Sequence, residues 1–596
     1  MSKSAKKSET NAVTPPDPIA FSKAMMDIYT RAQPVFEKFI EQQTEHFGEF
    51  NADPLNVQGA YQELITSFWQ EPEKFWALQT EYWQKSLTLW QESQKKWSGE
   101  AANTIISPEK GDRRFKAQEW NENAAFDFIK QSYLLTCEWM ERSVQSAEGL
   151  SDEQREKLTF ASKFLSSALS PTNFVHLNPE VLKETYATGG ENLLRGLENL
   201  ITDMQSGTIT TTDETAFTLG KNIATTKGAV IYKNDLMELI QYAPLTEQIH
   251  KRPLLVIPPW INKYYILDLR PENSYIKWAV EQGHTVFVIS WVNPDKSLSH
   301  KRFEDYMSEG IIAALDQIKT TTGEPDCNAV GYCLGGTLLS ITLAYLAEHE
   351  QENRIKSATF LTTLTDFEHA GELKLFMNDE QLSLMDKSME ESGVLEGKQL
   401  QQTFSLLRAN DLIWSFVVNN YLMGREPFPF DLLYWNNDST NMPAEMHRFY
   451  LRKFYRDNQL IESGGISMLG TPIDLRKIKT PAYFLSTRED HIAPWRATYK
   501  GTQTLGGDVT FTLAASGHIA GVINPPVKEK YCYWTNNKTP KTAEDWLSQA
   551  TEHTGSWWAH WQNWLTPHLG KQTPARKISN KTTITKAPGE YVRVKN

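Results

Sequence analysis

The stretch Gly331-Tyr332-Cys333-Leu334-Gly335-Gly336 constrains this chain more than any other. β-prone Asn328-Ala329-Val330 precedes it, and the helix-prone run from Thr337 to His349 follows. A sharp turn between strand and helix crowds the backbone, and glycines at 331, 335 and 336 remove the side chains that would clash there. Such a turn presents its central residue at the end of the strand, where the starting helix aims free N–H groups and its positive end. That residue is Cys333, and the setting favours a reactive thiol. A buried core cysteine is the alternative, because cysteine is among the most buried residue types.

The residues that follow support the reactive reading. Short β-rich runs occur at Leu254–Ile257, Thr285–Ser290, Asn328–Gly331, Ser357–Leu364, Ala482–Leu485 and Val509–Leu513. Helix-like segments separate several of them, the pattern of a mostly parallel sheet covered on both faces. Asp490 comes just past the 482–485 run and His518 just past the 509–513 run. Nucleophile, acid and histidine, in that order at strand ends, is the chain order of α/β-hydrolases. His491 competes for the role of base, but a loop after the last strand suits it better, which favours His518. His284 opens a strand and is assigned to structure, and Glu489 to a solvated charge.

The chemistry follows from types and order. His518 takes the thiol proton, Cys333 attacks an acyl carbon, and Asp490 orients the imidazole. Backbone N–H groups of Leu334 and, in "PPWINKYY", of Ile261 hold the oxyanion. A thiol that attacks a thioester exchanges like for like, so the acyl group stays activated and an alcohol can take it to an oxyester. The residues therefore point to acyl transfer from a thioester to a hydroxyl, with water as an alternative acceptor.

Composition sets the bounds. The 596 residues are 40% hydrophobic and carry a net charge of −12, so there is no basic excess for nucleic acid. The four cysteines form neither a disulfide framework nor paired metal-ligand spacing, and no metal or cofactor is expected. The N-terminal stretch lacks the apolar core of a signal peptide, and no apolar run approaches the roughly 20 residues of a transmembrane helix. The expectation is a cytoplasmic protein whose attachment to any lipid-like surface is peripheral.

Residues 1–17 read as disordered, and 18–210 as a mainly helical domain. An α/β domain follows over 211–570, with helical patterning persisting to about Tyr242. The alternation stops between about 365 and 458, which reads as a cap insertion, and 571–596 reads as a polar tail. Within the helical domain, Trp69, Trp76, Trp83, Trp90 and Trp97 recur every seventh residue. Pro72 suits a first helical turn, which places Trp69 before that helix. The ordinary assignment packs this ridge on the chain's own core. The alternative is a half-wet aromatic face for a partner helix or an amphiphilic surface.

Taken together, "GDRRF", "QSYLL", "PPWINKYYILDLRPENS", "GYCLGGT", "SLLRANDLIW", "FDLLYWNNDSTNMP", "REDHIAPW", "SGHIAGVINPP", "GSWWAHWQNWL" and "APGEYV" resemble the class I polyhydroxyalkanoate synthases over most of the chain. The resemblance implies an α/β-hydrolase core with a cap, preceded by a helical domain. It implies polymerisation of (R)-3-hydroxyacyl-CoA with release of coenzyme A, Cys333 carrying the acyl chain and Asp490 also helping to activate the incoming hydroxyl. Trp435 and Asp268 fall in motifs the family treats as sensitive. Arg408 is a candidate for coenzyme A phosphates or for holding the cap, with a surface salt bridge as the alternative. Tyr332 before the cysteine points to short monomers such as 3-hydroxybutyryl-CoA. A homodimer, the growing polyester, its granule surface and granule-coat proteins are the implied partners. The rivals are a thioesterase or depolymerase using the same triad, and a non-catalytic granule scaffold.

Overall fold

The apolar runs between residues 254 and 514 contain residues that pack equally well on both sides, such as Leu254-Leu255-Val256-Ile257, which demands a sheet buried on both faces. The computed structural model describes residues 57–595, so the disorder expected for 1–17 lies outside the described residues. Two compact units emerge among the described residues, one of 57–213 with 408–428, the other of 214–407 with 429–595.

The second unit is built on an 11-stranded sheet. Its strands are β1 (Gly228–Lys233), β2 (Met237–Tyr242), β3 (Leu254–Ile257), β4 (Val286–Trp291), β5 (Cys327–Tyr332) and β6 (Ile355–Leu361). They continue with β7 (Ala482–Thr487), β8 (Val509–Ala514), β9 (Cys532–Thr535), β10 (Thr551–Thr554) and β11 (Thr585–Lys586). The spatial order is β10-β9-β8-β7-β6-β5-β3-β4-β2-β1-β11. Strands β3 to β8 run parallel, and antiparallel strands extend both edges. The expected fold, an α/β-hydrolase core with inserted helices, preceded in sequence by helices, is thus present.

Every parallel strand coincides with a β-rich run read from the sequence, whereas the antiparallel edges correct it. Residues 228–242 were expected to continue the helical pattern but form β1 and β2. The misleading residue is Glu238, fully buried, whose carboxylate pairs with Lys233 at 3.3 Å and accepts the N–H groups of Glu590 and Tyr591. Its charge broke the apolar signature of a buried strand. The same contacts correct the polar tail: β11 pairs with β1, Val592 is buried, and Tyr591 donates to Asn234 O at 2.6 Å.

The first unit is helical. Pro72 occupies the first turn of Pro72–Trp97, and Trp69 lies in the preceding helix Val57–Gln70. The long helix packs on Ala124–Ser146, where Tyr82 meets Trp139 at 5.8 Å and Thr136 at 3.2 Å, and Leu89 is buried. Trp90 and Trp97 touch Phe128 of that helix at 6.1 and 6.2 Å with part of their rings. The ridge is nonetheless not a core seam: Trp69, Trp76, Trp83, Trp90 and Trp97 are 45–80% exposed.

Residues 408–428, expected to be part of the cap, join this unit. Helix Glu191–Ser206 meets them so closely that a Cβ on Gly196 would lie 1.8 Å from Tyr421 O. Asn192 donates to Leu422 O at 2.8 Å, and Tyr421 donates to Asp203 at 2.7 Å. Among the described residues, no helix is long and apolar enough to cross a membrane.

Candidate active site

Strand β5 ends at Tyr332 and helix Leu334–Glu348 begins two residues later, leaving Cys333 alone to turn the chain. It does so at φ 52°, ψ −121°, a conformation that non-glycine residues adopt only when their surroundings enforce it. The enforcement is visible. Cys333 N donates to Leu361 O at 2.8 Å, and its carbonyl accepts from Gly336 N and Thr337 N. A Cβ on Gly331 would sit 2.4 Å from Gly336 Cα, and one on Gly335 would sit 2.2 Å from Ile257 O. The turn can close only with glycines there.

On the far side of the sheet's parallel edge, His518 Nδ1 and Asp490 Oδ2 are 2.7 Å apart. The Asp490 side chain is fully buried and both its oxygens are occupied. Oδ1 accepts from Ile492 N and Ala493 N at 2.9 Å each, and Oδ2 also accepts from Thr487 Oγ1 at 3.2 Å. With Nδ1 engaged, Nε2 faces the thiol, and His518 interacts with Cys333 as well as with Asp490. Burial works to lower the imidazole's pKa, but the Asp490 carboxylate and then the Cys333 sulfur outweigh it, so it is pushed up to about 10. Tyr332 stacks on the same ring at 5.7 Å and donates to His518 O, fixing the base from its other side.

Leu334 N–H lies at the first position of the helix, free of any intrahelical partner, beside the sulfur. The loop after β3 carries Ile261, and the glycine contacts above bring the start of that loop against the elbow. Cys333, His518, Asp490 and Leu334 thus gather at the C-terminal edge of the parallel strands, where α/β sheets place their chemistry, and Ile261 follows the end of β3 at that edge. Asp490 bonds to His518 rather than to its neighbour His491. His284 is buried against Gln562 at 2.8 Å, in a structural setting, and Glu489 is exposed.

The other candidates go elsewhere. Asp268 is fully buried and accepts from Thr226 Oγ1 at 2.5 Å and Ser274 Oγ at 2.6 Å, which ties the 224–226 turn to the chain after β3. Trp435 is buried with its indole N–H on Lys263 O at 2.6 Å. Arg408 lies in the helical unit and pairs with Asp411 three residues on. None of the three makes a hydrogen bond or ion pair with the triad. Cys327, the other cysteine of β5, lies at the opposite end of that strand, and burial pushes its thiol up to about 12. It is a core residue, and the Asp326 carboxylate beside it further disfavours its thiolate.

Two groups escaped the sequence reading. Tyr450 and Tyr455, at the end of the insertion, are fully buried and within electrostatic reach of Cys333, and their rings meet edge-on at 5.4 Å. Burial chiefly raises the pKa of both phenols, so they remain hydrogen-bond donors at any working pH. Only their aromatic-rich neighbourhood, "RFYLRKFYRDN", could have flagged them.

Known proteins similar to this chain identify its family. The family model described as Poly-beta-hydroxybutyrate polymerase (PhaC) N-terminus matches residues 111–279, and the one described as alpha/beta hydrolase fold matches residues 267–525. The Poly(3-hydroxyalkanoate) polymerase subunit PhaC of Rhizobium meliloti (strain 1021) is 48% identical over 503 residues, 84% of this chain and 82% of that protein. The Poly(3-hydroxyalkanoate) polymerase of Methylorubrum extorquens is 50% identical, over 83% of each chain. The Poly(3-hydroxyalkanoate) polymerase subunit PhaC of Cupriavidus necator is 42% identical, over 81% of this chain and 83% of that protein.

Proposed function

The chain belongs to the poly(3-hydroxyalkanoate) polymerase (PhaC) family, and from that premise we propose that it polymerises (R)-3-hydroxyacyl-CoA at Cys333, releasing coenzyme A. The observation that carries the assignment of residues is the strained Cys333 elbow beside a histidine held at 2.7 Å by a fully buried aspartate.

In the first half-reaction, His518 Nε2 accepts the Cys333 Sγ proton and the sulfur attacks the thioester carbonyl carbon. The oxyanion is held by Leu334 N–H and Ile261 N–H. Collapse breaks the bond from the carbonyl carbon to the coenzyme A sulfur, and the imidazolium returns its proton to that sulfur, so the free thiol leaves. In the second half, the 3-hydroxyl of another acyl group gives its proton to His518 while its oxygen attacks the Cys333 thioester. An oxyester forms and the bond to Sγ breaks. Because every Asp490 lone pair direction is already engaged, His518 rather than Asp490 is the base for the incoming hydroxyl, and Asp490 keeps the imidazole oriented and its cation stabilised.

Tyr332, against the base, narrows the space beside the sulfur and favours short monomers such as 3-hydroxybutyryl-CoA. The protein works in the cytoplasm as a homodimer, and the exposed tryptophan ridge gives the helical unit an amphiphilic face for the polyester granule or its coat proteins.

The test is incubation of the purified protein with (R)-3-hydroxybutyryl-CoA, with coenzyme A counted and the product sized. High-mass polyester from wild type, and none from Cys333→Ala, is the expected result. Free hydroxy acid alone would make water the acceptor, and polymer from Cys333→Ala would remove the cysteine from the mechanism.

A further inference from the structure

The proposed oxyanion donor on the loop after β3 belongs to the peptide joining Trp260 to Ile261, and that peptide is gripped at its carbonyl end. Thr440 Oγ1 donates to Trp260 O. The next carbonyl, Ile261 O, accepts from Thr440 N at 3.1 Å, and Asn262 pairs with Ser439 in an antiparallel bridge. In a trans peptide the C=O and the N–H point in opposite directions from one rigid plane. A hydroxyl that holds Trp260 O therefore also sets the aim of Ile261 N–H. That N–H donates to no protein acceptor among the described residues, so its direction is left to the hold on its carbonyl.

The grip is itself anchored. Lys263 Nζ and Asp438 Oδ1 are 2.6 Å apart with side chains 2% and 3% exposed, each one residue from the bridged pair Asn262 and Ser439. Lys263 also donates to Val594 O at 2.7 Å, and Tyr265 donates to Asp438 Oδ2 at 2.9 Å. Trp260 is buried and stacked on Tyr306 at 4.3 Å, which pins the same peptide from its other side. A buried ion pair is a poor source of net stability, because desolvation offsets the attraction, but it permits only one geometry. Here that geometry locks the residues carrying Thr440 to the loop carrying the donor.

We propose that Thr440 is a positioning residue for acyl transfer: its side-chain hydroxyl, delivered by the segment around Asp438, orients the Ile261 N–H toward the oxyanion. This rests on the cysteine acyl-transfer reading above and adds to it a residue distant in sequence from every member of the triad.

Thr440→Val removes the hydroxyl while keeping the branched shape, Thr440→Ala removes it with less bulk, and Thr440→Ser retains it. Each is assayed for coenzyme A release from (R)-3-hydroxybutyryl-CoA and, separately, for alkylation of Cys333 by iodoacetamide. Alkylation uses the same thiol and base but forms no oxyanion, so it registers damage to the nucleophile alone. For the Val and Ala variants the expected kcat is lower by about 10-fold or more, with KM within about twofold and the alkylation rate that of wild type. Thr440→Ser restores kcat. The proposal is overturned if both deletions keep wild-type kcat, if alkylation falls in step with kcat, or if serine is as slow as valine. A wild-type protein that alkylates at Cys333 but releases no coenzyme A would instead overturn the acyl-transfer reading, so the two failures are told apart.

Discussion

Adding one methyl group at Gly335 tests whether the elbow and the oxyanion loop are held at a single spacing. An alanine Cβ at that position would lie 2.2 Å from Ile257 O and 2.7 Å from Pro258 O. Ordinary contact begins near 3.4 Å, so one of the two backbones must retreat by about 1.2 Å, the difference between 3.4 and 2.2. Neither has a flexible side chain to yield: the obstacle is the backbone at the end of β3, a strand hydrogen-bonded on both sides. Displacement of about 1 Å between nucleophile and oxyanion donors costs on the order of 10²-fold in rate. Overpacking of this kind costs about 1–3 kcal/mol in stability. Coenzyme A release and thermal melting of Gly335→Ala read both quantities. Gly517→Ala is the control, because its Cβ would meet nothing nearer than Glu489 O at 3.6 Å although it adjoins His518. A Gly335→Ala enzyme with kcat within twofold of wild type would refute the single-spacing argument.

Four further outcomes are expected. Gly196→Ala, whose Cβ would collide with the Tyr421 carbonyl at 1.8 Å, destabilises the helical unit, and limited proteolysis should cut within 191–206 or 408–428 before the sheet unit. The His518 pKa is raised from its ordinary 6.5 to about 10, so the stability it contributes is complete below about pH 6.5 and is lost as pH rises through about 10. Asp490→Asn should flatten that decline in melting temperature and lower kcat by about 10²-fold or more. Lys263→Met leaves Asp438 buried without its cation and should cost about 3–5 kcal/mol in urea titration, part of which Lys263→Met with Asp438→Leu recovers. Replacing Trp76, Trp83 and Trp90 together by Gln should leave the melting temperature within a few degrees, since all three are exposed, while reducing adsorption to polyester particles; unchanged adsorption would free the ridge from that role.

The legible parts of this protein were those where one local rule decides. The buried parallel strands are dominated by apolar and β-branched residues, as in Leu254–Ile257 and Val286–Trp291, and each was visible for that reason. The elbow was visible because its glycines have no alternative, and Asp490 and His518 because each follows such a strand. What stayed hidden depends on partners far along the chain. Glu238 makes a buried strand look amphipathic until the N–H groups of Glu590 and Tyr591, some 350 residues on, neutralise it. The tryptophan heptad has the period of a core seam, yet its rings are 45–80% exposed while Leu89, one position before Trp90, is buried, and periodicity alone cannot separate two stripes about 100° apart. Tyr455 carries no motif, and Thr440 sits in "FDLLYWNNDSTNMP" with nothing to single it out from its neighbours. Their importance is a matter of which carbonyl and which sulfur they meet.

Closure of the sheet by β11 onto β1 has a consequence for the order of events during synthesis. Pairing residues 229–230 with 585–586, and Lys263 with the carbonyl of Val594, joins segments more than three hundred residues apart. A ribosome must deliver the chain through Val594 before the loop that carries Ile261 has its last support, although Cys333, Asp490 and His518 have long since emerged. Domains can fold as they emerge, but contacts this distant in sequence form last. The nascent protein therefore carries its nucleophile before it carries a finished catalyst.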